Sequence, residues 1–136
     1  MQVAIITGAG SGIGLATARM LHDMGMAVVG IGRDPAKLKT LEETIGHPER
    51  LAALSVDITA KDAPKLIVDQ ALERFGRIDF LVNNAGIGSP KPLHETDDDT
   101  LDHFLDIMLR APFRLARDVI PHMQAGSGVV NVTSTF

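Results

Sequence analysis

Apolar residues in this chain collect in short runs, separated by longer stretches with helical spacing. Val3–Thr7, Ala27–Gly32, Leu51–Val56, Ile78–Asn83 and Val129–Thr133 are largely apolar and do not alternate with period two. That is the pattern of strands buried on both faces, as in a parallel sheet covered by helices. Between them, Ile13–Met24 carries Leu15, Ala18, Met20 and Leu21, and Ala60–Phe75 carries Leu66, Ile67, Ala71 and Leu72, both at helical spacing. Pro35–Thr44 begins with proline at a first helical position. Thr96 followed by Asp97, Asp98 and Asp99 reads as the N-cap and first turn of another helix, where the dipole favours acids. Pro112 is expected to kink or split the helical pattern before Phe113–Gln124. This repetition predicts an α/β fold: a doubly wound, mostly parallel sheet of the Rossmann type, with about five strands in a single domain over residues 1–136.

Composition narrows the function classes. The 136 residues include 13 basic and 17 acidic side chains, a net charge of −4. No basic cluster stands out, so a nucleic-acid partner is not expected. The absence of cysteine excludes a thiol nucleophile and any thiolate-ligated metal within these residues. The acidic run from Asp97 is read as a solvated helix start, and no metal is expected. No stretch approaches 18 apolar residues and no basic leader precedes the first strand, so neither a membrane span nor a signal segment is expected. The expected setting is the cytoplasm.

The chemistry-bearing segment is Thr7-Gly8-Ala9-Gly10-Ser11-Gly12-Ile13-Gly14, between the first strand and the first helix. Glycines allow a ligand close to the backbone, and the helix start turns its free N–H groups and positive dipole end toward the same space. A pyrophosphate suits that environment. The spacing is neither G-x-G-x-x-G nor a P-loop, since Ile13 stands where the former wants glycine and no Lys-Ser or Lys-Thr follows. The second strand ends Ile31-Gly32-Arg33-Asp34. In dinucleotide folds an acid at this strand end selects the ribose 2′-hydroxyl, and a nearby arginine accepts a 2′-phosphate. Gly32 leaves room and Arg33 offers a planar fork for phosphate, while Asp34 reads as the cap of the helix from Pro35. NADP is therefore expected in preference to NAD; taken alone, Arg33 also reads as a solvated surface residue.

These segments resemble the short-chain dehydrogenase/reductase family. Thr7–Gly14 is similar to its T-G-x-x-x-G-x-G loop, Asp57 to its acid after the third strand, Asn83-Asn84-Ala85-Gly86 to its N-N-A-G segment, and Asn131-Val132-Thr133-Ser134 to the segment ending in its serine. The resemblance implies that Gly8, Ser11, Gly12, Ile13 and Gly14 hold the pyrophosphate and adjoining ribose, and that Arg33 meets a 2′-phosphate. It also implies that Asp57 and Ile58 contact adenine, and that Asn84, Ala85 and Gly86 line the path to the nicotinamide ribose. Each Asn, taken alone, also reads as capping a strand end or a turn. Ser134 would bond the oxygen of a small-molecule carbonyl or alcohol substrate.

Two departures follow. Met108 stands where many members carry an Asn of a proton relay, and Met supplies no strong donor or acceptor. The family's proton-exchanging Tyr, and the Lys four residues after it, would fall beyond Ser134, and the chain contains no Tyr. The expectation is thus the cofactor-binding half of an NADP(H)-dependent oxidoreductase, truncated after the fifth strand, without the last two strands of the usual sheet and inactive alone. The alternative is a non-catalytic nucleotide-binding or assembly module of the same fold. No histidine offers a substitute for the tyrosine: His22, His47, His94, His103 and His122 all read as surface residues. An uncovered apolar edge at Val129–Thr133 and the helical region Leu101–Met123 suggest homo-oligomerisation.

Overall fold

A computed structural model describes residues 1–88 and 91–134. Five parallel strands alternate with five α-helices: β1 (Val3–Thr7), α1 (Gly12–Asp23), β2 (Ala27–Gly32), α2 (Pro35–Ile45), β3 (Leu51–Ser55), α3 (Ala63–Phe75), β4 (Phe80–Asn83), α4 (Asp98–Leu105), α5 (Ala111–Val119) and β5 (Gly128–Asn131). The strands lie in the order β3-β2-β1-β4-β5. The chain therefore steps outward from β1 to β3, then crosses back to place β4 on the other side of β1. That reversal between β1 and β4 is where open α/β sheets open a crevice at the carboxyl ends of their strands.

The unbroken apolar runs are explained by two cores, one on each face of the sheet. Val3, Ile5, Val29 and Ile31 pack with Ile67, Ala71, Leu115 and Val119 of α3 and α5. Ile6 and Val28 pack on the opposite face with Ala18 of α1 and Leu38, Leu41 and Ile45 of α2. Successive side chains of β1 and β2 thus point into opposite cores, so neither strand has a polar face. No helix among the described residues is long and apolar enough to cross a membrane.

Several element ends differ from the sequence expectation, each for a local reason. β4 starts at Phe80, not Ile78, because the Asp79 side chain takes the place of a ladder partner: its carboxylate accepts from Val3 N at 2.8 Å and from Arg77 at 2.6 and 2.9 Å. α3 starts at Ala63, not Ala60, because residues 57–63 form successive turns, Ala60 N to Asp57 O and Ala63 N to Ala60 O. Thr96 is not the N-cap of α4. Its hydroxyl bonds back to Pro92 O at 3.1 Å, and Asp97 caps instead, accepting from Thr100 N at 2.8 Å. β5 ends at Asn131, where its partner β4 ends at Asn83.

The helical pattern divides just before Pro112. The helical path passes from α4 through a π-helical turn, Asp106–Arg110, into α5, with Pro112 in the first turn of α5. Proline has no N–H to return to the Met108 carbonyl, and a wider turn accommodates the missing bond. One histidine expected at the surface is buried: His22 is 2% exposed and stacks on the His47 ring at 5.7 Å.

Candidate functional site

Parallel strands bring their carboxyl ends to one side, and the loops leaving β1, β2, β3 and β4 enclose a cavity of about 750 Å³ there. That is within the roughly 300–1,000 Å³ range of small-molecule sites. Its lining includes Gly8, Ser11, Gly12 and Ile13 from the first loop, Arg33 after β2, Asp57 and Ile58 after β3, and Asn84, Ala85 and Gly86 after β4. A second concavity, about 580 Å³, lies along α1 between Leu15, Met20, Met24 and Thr44 and shares only Gly12 with the first.

The glycine loop is shaped by contact with β4. A side chain on Gly14 would place its Cβ 2.0 Å from Gly8 O and 2.6 Å from the Asn84 amide nitrogen, so only glycine lets the start of α1 close against the end of β1. Gly12 has φ of 53° and nothing within 4 Å of its missing Cβ, leaving the loop open toward the cavity. Ser11, the N-cap of α1, makes no side-chain cap bond, so the first amides of this helix keep their unfilled donors. Gly14 itself is buried behind the lining.

Thr7, which the sequence reading left without a role, ties the two central strands together. Its buried hydroxyl accepts from Asn84 N and Ala85 N, both at 3.0 Å, and lies 3.5 Å from Val82 O as a donor. The Asn84 amide nitrogen donates to Thr7 O at 3.2 Å and Gly8 O at 3.3 Å. The capping alternative for Asn84 is therefore what the hydrogen bonds display, at a position that also lines the cavity. Asn83 is buried and its amide donates to Asn131 Oδ1 at 3.0 Å, joining β4 to β5.

At the far end, Asp57 Oδ1 accepts from Thr59 Oγ1 at 2.7 Å and from Thr59 N at 3.0 Å. The Thr59 hydroxyl, followed by its amide, holds the Asp57 carboxyl below the usual carboxylate range; partial burial opposes this, and Arg33 and His103 add to it. Asp57 thus faces the cavity as a fixed anion, an acceptor for N–H donors. Asp34 Oδ1 accepts from Ala36 N at 2.9 Å, so this acid caps α2 as the sequence suggests. Arg33 lines the cavity and is exposed, with no ion pair to a carboxylate among the described residues.

Not every residue singled out from sequence comes together here. Met108 does not line the cavity, although its Cε lies 3.7 Å from where a Gly86 Cβ would be. Ser134 is exposed beyond β5 and also lies outside the lining. Conversely, His103 of α4, exposed as the sequence suggests, and Ile107 of the π-helical turn also line the cavity. One helical turn separates them, a spacing visible in sequence but uninformative until α4 is placed. No cluster of three or more metal-ligating side chains occurs among the described residues.

Known proteins share both the sequence and the backbone. The family model for short chain dehydrogenase matches residues 2–136. A cis-4-hydroxycyclohexanecarboxylate dehydrogenase from Sinomonas cyclohexanicum is 39% identical over 98% of this chain and 55% of its own length. The structure of a 3-ketoacyl-(acyl-carrier-protein) reductase from Brucella melitensis, complexed with NADH, superposes with a TM-score of 0.92 at 33% identity, over 98% of this chain and 57% of that one. L-Sorbose reductase from Gluconobacter frateurii, complexed with NADPH and L-sorbose, gives a TM-score of 0.88 at 32% identity, over 98% of this chain and 52% of that one. The chain spans about half the length of the curated relatives it matches. Agreement this extensive in sequence and backbone means that the chain belongs to the short-chain dehydrogenase family, oxidoreductases built on a nicotinamide-dinucleotide-binding fold.

Proposed function

We propose that residues 1–136 form one dinucleotide-binding unit that holds NADP(H) for an oxidoreductase acting on a carbonyl or secondary alcohol of a small molecule. The observation that carries the NADP preference is the end of β2, where Gly32 leaves space and Arg33 stands on the cavity rim while Asp34 is engaged in capping α2. The acid at that strand end, Asp34, gives its Oδ1 to the start of α2, and beside it Arg33 offers a guanidinium fork suited to phosphate.

The residues present fit such a cofactor. The open face at Gly12 and the uncapped start of α1 suit a pyrophosphate. Asp57 and Ile58 suit the adenine, Asp57 as acceptor for its amino group. Ala85 and Gly86 lie on the way to the nicotinamide ribose, with Asn84 fixing the loop from behind. When bound, the nicotinamide supplies or accepts hydride at C4. In the same reading Ser134 positions the substrate oxygen, the protein works in the cytoplasm, and it assembles as a homo-oligomer.

Replacing Arg33 tests the reading. A charge-assisted contact of this kind contributes about 1.5–3 kcal/mol. Arg33→Ala is therefore expected to weaken NADPH binding by roughly 10- to 100-fold while changing NADH binding little, as titrated by the fluorescence of the reduced nicotinamide. Equal losses for both cofactors would overturn the NADP assignment.

A further inference from the structure

The far end of the cavity pairs an acceptor with a donor. Asp57, after β3, uses Oδ1 for both bonds to Thr59, so among the described residues its Oδ2 remains to accept. His103 of α4 lines the same cavity, as does the buried Ile107 one turn further on. Its own helix does not account for where the His103 ring lies. Asp99 and Asp106 stand four residues before and three after it, the spacings at which helical side chains pair. Neither forms an ion pair with it among the described residues, and Asp106 instead accepts from Arg110 Nη1 at 2.7 Å. Beyond the Thr59 bonds and Arg33, the charged form of His103 also lowers the Asp57 carboxyl, which places the two groups within electrostatic reach of each other. Val56, Ile58 and Ile107, which line the cavity with them, are hydrocarbon side chains.

We infer that His103 is a specificity-determining residue whose imidazole N–H donates to a ring nitrogen of adenine while Asp57 accepts from the neighbouring N6 amino group. The inference rests on the dinucleotide reading above and adds to it a residue of α4. Adenine presents its amino donor beside a ring-nitrogen acceptor, N7 on one edge and N1 on the other. A carboxylate satisfies only the donor, because it has no proton to give, whereas imidazole carries an N–H in either tautomer. A 6-oxo purine would set an acceptor oxygen against the Asp57 anion. The pair therefore reads adenine and not purines in general.

Calorimetric titration of the full chain with 5′-ADP and its 7-deaza and 1-deaza analogues isolates this contact, because each analogue replaces one ring nitrogen by C–H. The chain is expected to bind 5′-ADP about three- to tenfold more tightly than one of the two analogues. That preference is expected to vanish in His103→Phe, which keeps a ring without a donor, and to return in part in His103→Gln, whose amide donates. His103 is exposed, so neither variant disturbs the core. A preference that survives in His103→Phe would assign the donor to another group and overturn the inference. Equal affinity of the unmodified chain for all three probes would also overturn it, while leaving the dinucleotide reading standing. A loss in His103→Phe confined to 2′,5′-ADP, with 5′-ADP unchanged, would place the ring on the ribose phosphate and sink the adenine contact. No binding of 5′-ADP by the unmodified chain would sink both readings.

Discussion

His22 shows how a single side chain sets a pH limit on this fold. It is 2% exposed, and its Nε2 is buried without a hydrogen-bond partner. Burial, then the positive charge of Arg50, then His47, lower its pKa below the ordinary imidazole value near 6.5. Arg50 is held in place by two carbonyls, His22 O in the last turn of α1 at 2.8 Å and Met26 O just before β2 at 3.0 Å. The unfolded chain takes up a proton at His22 below about pH 6.5, while the folded chain resists it until lower pH. Stability tied to neutral His22 is therefore full above that value and falls as the pH drops through the window beneath it. The urea midpoint of the chain is expected to decrease between pH 7.5 and pH 5, and less steeply in His22→Leu; equal slopes in the two would refute the assignment. The sequence did not disclose this residue, because helical position 22 reads as a surface site until the His47 ring stacks on it.

Among elements, β4 depends most on contacts distant in sequence. Burial, the largest single influence, pushes the Asp79 carboxyl up, but the Arg77 fork and the Val3 amide together hold it below the usual carboxylate range. Arg77 is half exposed, so the ion pair itself is screened, and the backbone bond to Val3 carries more weight. Asp79→Ala would leave the Val3 N–H unpaired in a buried setting, a cost of about 1–3 kcal/mol. Urea unfolding is expected to show that loss, with Asp79→Asn keeping part of it; an unchanged midpoint in Asp79→Ala would show the clasp to be inert. Strand and helix positions were legible from sequence because the apolar runs reflect a sheet with two covered faces. Element ends were not, because Asp79, Thr96 and Asp97 terminate or cap through side-chain bonds that no periodicity encodes. The same holds within the site. Glycine spacing and the strand-end arginine were readable, whereas the bonding of Thr7 to Asn84 and the approach of His103 to the cavity arise only when β1, β4 and α4 come together.

At the scale of the molecule, one side exposes a group of large apolar side chains. Leu101, Leu109 and Phe113 are exposed along α4, the π-helical turn and α5, with Ile120 just after α5, and Val129 and Val130 of β5 and Val132 just after it are exposed too. Uncovered apolar surface of this extent favours association. If the proposed homo-oligomer uses the helical side, Phe113→Glu is expected to lower the mass measured by light scattering to that of a smaller assembly. An unchanged mass would place the contact elsewhere.

The bond from Asn84 to Gly8 O spans 76 positions of sequence. A chain emerging from the ribosome therefore makes its phosphate loop early but cannot set that loop's shape until β4 has been synthesised and docked. At about 5–20 residues per second, that interval is roughly 4–15 s. During it the glycine segment is an open, ligand-indifferent turn. Acquisition of dinucleotide affinity would thus mark the moment at which the two halves of the sheet meet, making the cofactor a reporter of completed assembly during translation.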